Sequence, residues 1–169
     1  MIRQILILLF ASCLLFSCQR TKPQAPIFKN RQPDTTAVKM VLLNQRLAQE
    51  ADNELTNFIK HSDTAYTLSE HGFWYQFLER TDGDMPAEGD EVKVSYQIRS
   101  LQGRILEDVS QRLHVGKAET IAAIDDMLSL MHNGERVRML VPWYRAYGMQ
   151  GNGQVEPYQN IIIDLTLHK

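Results

Sequence analysis

Few residues of this chain are spaced for chemistry. His61, His71, His114, His132 and His168 show no HxH, HExxH or cysteine-paired spacing, so the sequence assembles no metal site. The run Gly148-Met-Gln-Gly-Asn-Gly153 stands apart from any strand-to-helix junction, which argues against a phosphate loop, and no Ser/His/Asp constellation is visible. What remains is Tyr147. The alternating apolar positions Val137, Met139 and Val141 read as a strand that breaks at Pro142, and the following loop presents Tyr147 between Ala146 and Gly148. Packing explains that setting poorly, whereas a phenolic hydroxyl there can donate a hydrogen bond to a ligand. Glu107 beside Asp108 is either a carboxylate turned toward a site or part of a solvated acidic loop.

The elements that must hold these groups follow from periodicity. Val92, Val94, Tyr96 and Ile98 alternate with Glu91, Lys93, Ser95, Gln97 and Arg99, which predicts a strand with one buried and one wet face. Leu101-Gln-Gly-Arg104 turns the chain into a second strand, Ile105-Leu106-Glu107, followed by a looser polar stretch to Arg112. From Ala118 to Met131, Ile121, Ile124, Leu128 and Met131 recur at helical spacing while Asp125, Asp126 and Ser129 face away. The chain end, Tyr158 to His168, alternates Ile161, Ile163, Leu165 and Leu167 with polar residues and reads as a final central strand; only Ile162 departs from the pattern. His71 to Leu78 is aromatic and strand-prone and reads as a first edge strand, with Trp74 engaged in packing, and residues 81–90 form a turn-rich loop. Five or so antiparallel strands and one short helix make an α+β domain over residues 70–169.

The composition is that of a globular protein, 44% hydrophobic and 22% charged over 169 residues, enough for one domain with an appendage. A formal charge of −2 leaves no basic footprint, so nucleic acid is not an expected partner. The N-terminus differs in kind. Arg3 precedes the apolar run Ile5 to Phe16, too short to span a bilayer comfortably, and residues 1–17 read as a signal peptide. Leu15-Phe-Ser-Cys18 looks like a bacterial lipobox, which predicts lipidation of Cys18; the alternative is a plain signal with an incidental cysteine. Cys13 and Cys18 are the chain's two cysteines, so a processed protein would be stabilised by its core alone. A multiply acylated Cys18 would anchor the protein to a membrane, with residues 18–36 and their prolines Pro23, Pro26 and Pro33 as an extended tether. Residues 37–62 carry Val38, Val41, Leu42, Leu47, Leu55, Phe58 and Ile59 among polar positions and predict an amphipathic helix that packs on the domain or pairs with a second copy as a homodimer.

Three blocks of sequence carry a resemblance. Gly89-Asp-Glu-Val-Lys-Val-Ser-Tyr96, Val115-Gly-Lys-Ala-Glu-Thr-Ile121, and Met131-His-Asn-Gly-Glu135 leading through Val141-Pro142 to Ala146-Tyr147-Gly148 resemble, in order and spacing, the FKBP-type peptidyl-prolyl cis-trans isomerases over roughly Glu88 to His168. The resemblance implies a twisted antiparallel half-barrel sheet wrapped around one short helix, a rotamase activity on X-Pro bonds of exported polypeptides, and no metal or other cofactor. It also implies roles. Tyr96 would line the pocket floor, Leu106 a side wall, Ile121 and Ile124 the helix side and Ile163 the far wall. Tyr147 and the Ile121 amide would donate to the substrate, with Glu107 where the family usually has an aspartate. Leu106 and Ile124 stand where the family usually has aromatics, which implies a shallower pocket and argues against tight binding of the macrolide FK506. Taken singly, Tyr96 and the isoleucines are equally ordinary core residues. The layout of signal, tether, helix and domain is similar to that of the gliding-motility-associated isomerase lipoproteins of the Bacteroidetes, which implies a periplasm-facing, lipid-anchored protein of either membrane. Two rivals stand beside the enzyme: a non-catalytic receptor for proline-containing segments of a secretion or gliding machine, and a chaperone acting through the N-terminal helix.

Overall fold

A computed structural model describes residues 35–168. The signal segment, Cys18 and the tether as far as Asp34 lie outside the described residues. Helix α1 spans Thr35–Lys60, so Thr35 and Thr36 begin the helix rather than end the tether. Six strands follow, β1 (Thr67–Leu68), β2 (Trp74–Glu79), β3 (Glu91–Ser100), β4 (Ile105–His114), β5 (Arg136–Val141) and β6 (Ile161–Leu167), with helix α2 (Ala122–Leu128) between β4 and β5. They form one sheet in the order β1-β2-β5-β6-β3-β4, and every neighbouring pair is antiparallel. From Val38 onward the chain is one compact unit. Among the described residues, no helix is long and apolar enough to cross a membrane.

The period-2 pattern of β3 is realised residue by residue: Val92, Val94, Tyr96 and Ile98 are buried while Glu91 and Lys93 face solvent. These side chains meet those of β5 and β6 and the buried Ala123, Ile124, Met127 and Leu128 of α2 in the main core. Each such aliphatic side chain, fully buried, contributes roughly 1.5–3 kcal/mol to the folded state.

Three expectations need correction, and one departure from pattern is explained. The second strand does not end at Glu107. It continues to His114, paired with β3 from Glu91↔His114 to Arg99↔Ile105; as an edge strand it keeps polar Asp108, Ser110 and Arg112 in solvent, which disguised it as loop. The β2 strand is not at the edge, because the two-residue β1 pairs with it through Thr67↔Tyr75 and Leu68↔Trp74. The central helix is shorter than 118–131. Ala118 takes a left-handed φ of 53°, and the Asp125 carboxylate accepts the Gly116 and Ala118 amides, so the segment before Ile121 is a turn tied down to the helix. Ile162, the misfit in β6, is buried on the opposite face of the sheet, where Leu55 of α1, with Phe58 and Ile59 beside it, packs against Ile162 and Leu140. Because α1 covers that end of the sheet, both faces of β6 carry apolar residues there.

Candidate active site

The site grows from a bulge. At the end of the β3–β4 pair the register shifts between Ile98, opposite Glu107, and Arg99, opposite Ile105, so Leu106 is the extra residue. A bulge of this kind bends the strand and re-aims side chains. Leu106 is thereby packed on the core cluster, while Glu107 next to it reaches the loop after β5.

That loop starts with Pro142 and a single 3-10 turn, Trp143–Arg145, whose terminal amides fold back on Pro142 and Trp143. The Gly148 amide also donates to the Trp143 carbonyl, at 2.8 Å, and Gly148 has φ 67°, a left-handed conformation a side chain would strain. Arg145 forms an ion pair with Asp126 of α2, pinning the turn to the helix. Tyr147 is thus held half-buried against the core, with its hydroxyl donating to Glu107 Oε2 at 2.9 Å. The other carboxylate oxygen, Oε1, accepts from the Asn152 side-chain amide. Asn152 is itself fixed, since its Oδ1 accepts the Gln154 and Val155 amides at 3.1 and 2.8 Å.

Tyr96 rises from β3 on the same side. Its hydroxyl accepts from Gln111 Nε2 at 3.1 Å, and its titration is raised by burial first, with a hydrogen bond to Thr120 opposing and the Glu107 charge adding to the rise. Burial also pushes the Tyr147 hydroxyl far above the ordinary tyrosine range, and the hydrogen bond to Glu107 and that carboxylate's charge push the same way. Both phenols therefore stay protonated through neutral and mildly alkaline pH. An ordinary tyrosine ionises near pH 10; an activity that depends on the Tyr147 proton is expected to show no alkaline loss with a midpoint at or below that pH. A pH profile of kcat/KM with such a loss would exclude Tyr147 as the donor.

Ile121 precedes α2 with extended backbone, φ −63° and ψ 144°, and its carbonyl accepts the Ile124 and Asp125 amides. Its own amide has no acceptor among the described residues, so it is an orphan donor at the helix start. The side chain of Ile121 is half-buried and, like Leu106 and Tyr147, packs on the main core to which Tyr96 belongs. Ile124 and Ile163 are in that core with no exposure, so neither presents the wall surface that the resemblance implied.

Of the sequence-predicted residues, Tyr147 and Glu107 are joined by a hydrogen bond close to Tyr96, Leu106 and Ile121 pack half-buried on the same core, and Ile124 and Ile163 are wholly inside it. Others were not foreseen. Asn152 holds Glu107, Gln111 holds Tyr96, and Tyr75 and Phe77 of β2, edge-on at 5.7 Å, extend the half-buried aromatic surface along the core. The signal for Tyr75 and Phe77 was present in the alternation Phe73, Tyr75, Phe77; Asn152 gave only a Gly-Asn-Gly turn.

Among the described residues, no group of three or more His, Cys, Asp or Glu side chains is placed to hold a metal ion. Chemically the arrangement offers an apolar surface, two hydrogen-bond donors and an acceptor fixed by neighbours.

Comparison with known proteins gives a consistent picture. Residues 83–168 match the family model of FKBP-type peptidyl-prolyl cis-trans isomerases. The macrophage infectivity potentiator of Trypanosoma cruzi is 31% identical over 104 residues, 57% of this chain and 52% of that protein. The chain thus spans about half the length of that curated relative. Among solved structures, a peptidyl-prolyl cis-trans isomerase from Pseudomonas syringae pv. tomato superposes with a TM-score of 0.63 at 19% identity, over 74% of this chain and 93% of that one. FkpA from Escherichia coli superposes with 0.59 at 16% identity, over 83% and 73%. At such identities the likeness establishes the fold.

Proposed function

This chain belongs to the FKBP-type peptidyl-prolyl cis-trans isomerase family, and from that premise we propose that it catalyses the isomerisation of X-Pro bonds in polypeptides exported to the cell envelope. The observation that supports the reading is the Tyr147 hydroxyl held over the core beside Glu107 and near Tyr96, with Ile121, whose amide has no acceptor among the described residues, packed on the same core. Amide resonance sets a barrier of ~18–20 kcal/mol, and the uncatalysed step takes tens to hundreds of seconds. At the twisted transition state the resonance is lost. The carbonyl becomes less polar and the prolyl nitrogen becomes a better hydrogen-bond acceptor, so a desolvating surface favours the twisted form over the planar one. Fixed donors at Tyr147 and Ile121 orient the substrate carbonyls on that surface. Every ~1.4 kcal/mol of preference for the twisted form is a tenfold gain in rate. No nucleophile is consumed and no bond is made.

Glu107 shapes the chemistry in a second way. The Tyr147 hydroxyl already donates to it, so a substrate carbonyl must displace a charge-assisted bond before it can accept from Tyr147. Together with Leu106 and Ile124 at positions the family usually fills with aromatics, this favours a second reading, a receptor that holds a proline segment of a secretion or gliding machine without turning it over.

In either reading the domain would be carried on a lipidated Cys18 and a proline-rich tether at the periplasmic face of a membrane. The exposed Val38, Met40, Val41, Leu42 and Leu43 of α1 are the surface through which a second copy would pair.

The two readings part in refolding. Mixed with an unfolded protein whose slow phase is limited by a native cis-proline, the enzyme is expected to speed that phase in proportion to its concentration and to leave the fast phases unchanged. A slow phase that does not respond, while the protein still binds the unfolded chain, would leave only the receptor.

A further inference from the structure

Helix α1 lies outside the stretch that matches the family, yet it is bonded to the loop that carries Tyr147. That loop leaves β5 at Pro142 and enters β6 just after Asn160. Asn160 is 4% exposed and has three partners. Its Oδ1 accepts the Trp143 amide at 2.9 Å, which ties the loop's two ends to each other. Its Nδ2 donates to the Ala51 carbonyl at 3.3 Å and to Glu54 Oε2 at 2.6 Å, which ties both ends to α1. Around this clasp the Tyr144 hydroxyl donates to Asp52 at 2.6 Å, and the Trp143 indole approaches the Leu47 carbonyl at 3.5 Å. Tyr158 completes the connection. Its ring stands edge-on to Trp143 at 4.9 Å, and its amide donates at 3.1 Å to the carbonyl of Gly148, the residue after Tyr147.

A nearly buried amide with three partners favours one arrangement, because losing them strips the Asn160 side chain of its bonds, although its partner Glu54 is itself exposed to water. Ala51 is small and 5% exposed, which lets Asn160 approach the helix backbone. The position of the Tyr147 loop is therefore set from two sides, by the ion pair of Arg145 with Asp126 of α2 and by the bond of Asn160 to Ala51 of α1.

We propose that Asn160 is a positioning residue for Tyr147, and that α1, through Ala51 and Glu54, belongs to the functional unit rather than to the tether. The functional consequence rests on Tyr147 acting as the donor proposed above; the structural one does not. A donor displaced by a fraction of an ångström loses much of its preference for the transition state, so the clasp acts on turnover more than on substrate binding.

The test uses Asn160→Asp in the full chain in detergent solution. This change keeps an acceptor for the Trp143 amide, removes both donors to α1, and sets a second carboxylate against Glu54. Hydrogen exchange at the Gly148 and Tyr158 amides is expected to rise roughly tenfold while the β3 and β6 amides keep their protection, and kcat on an X-Pro peptide to fall roughly tenfold with KM little changed. Adding Glu54→Gln returns a donor opposite the new carboxylate and is expected to restore both. If β3 and β6 exchange faster as well, the variant has lost global stability, and Tyr144→Phe at the exposed rim decides, with the same loop response at smaller amplitude. Loop amides that do not respond, or a loosened loop with unchanged kcat, overturn the proposal. Should the unaltered protein turn over no X-Pro bond, the isomerase reading fails by itself. The exchange response and its rescue by Glu54→Gln then still decide whether α1 holds the loop.

Discussion

Replacing Asp164 with alanine is expected to destabilise the protein by about 2–4 kcal/mol, the scale for stripping a partner from a largely buried charge cluster, discounted for partial exposure. Asp164 sits on the outer face of central strand β6, directly opposite Arg138, whose Nε and a terminal nitrogen reach its two oxygens at 2.6 and 2.9 Å. Arg99 of β3, diagonal to it, bonds the same carboxylate from the other side. The Asp164 side chain is 11% exposed, and without it two guanidinium groups face each other across the strand. Burial alone would raise the carboxyl's pKa; the hydrogen bond from Arg138 and the charges of Arg138, Arg99 and Arg136 outweigh it and hold the pKa below the usual value. A lowered carboxyl pKa means that the native state binds the proton less readily than the unfolded chain. The stabilisation is therefore fully present above the unfolded value near 3.9 and is lost as the pH falls through the lower, folded one. Urea melts at pH 7 and at successively lower pH are expected to show the gap between the unaltered protein and Asp164→Ala closing below about pH 4. A gap that stays constant on acidification would mean that the loss is one of packing.

Tyr147→Phe is expected to lower kcat/KM on an X-Pro peptide roughly tenfold to a hundredfold, the range for removing one fixed donor from a desolvated site. Stability should change little. The ring keeps its packing on the core, and the Glu107 carboxylate, which loses one bond, keeps the Asn152 amide. The split between kcat and KM is informative. If Tyr147 acts on the twisted amide, kcat falls; if it only holds the substrate, KM rises with kcat unchanged. An unaltered kcat/KM would remove Tyr147 from the site.

The main sheet was legible because its strands have one wet face. In β3 every second residue is apolar, and in β6 Ile161, Ile163, Leu165 and Leu167 are too, so the period of two survives in the sequence. It failed where a strand meets water or protein on both sides. The far half of β4 is an edge whose inward positions include polar Gln111, and β6 is covered on its second face by α1 at Ile162. Helix α1 was legible as amphipathic, but the partner of its apolar stripe was not, because nothing in Ala51 or Leu55 says that it is Leu140 and Ile162. Within the site, Tyr147 announced itself by its setting between a proline-broken strand and a glycine. Asn152 and Asn160 did not, since an asparagine in a loop reads as turn chemistry whether it caps a turn or clasps two elements ninety or more positions apart in sequence. Contacts of that kind are a property of the folded topology and leave no local trace.

If this domain turns over X-Pro bonds, NMR exchange on a short Ala-Leu-Pro-Phe-type peptide shows it, since it reads isomerisation without a coupling protease. Exchange cross-peaks between cis and trans forms are expected to grow with the concentration of the protein and to weaken with Tyr147→Phe. Peptide resonances that shift or broaden on binding while exchange stays at the uncatalysed rate would contradict the account and make the domain a receptor for proline segments.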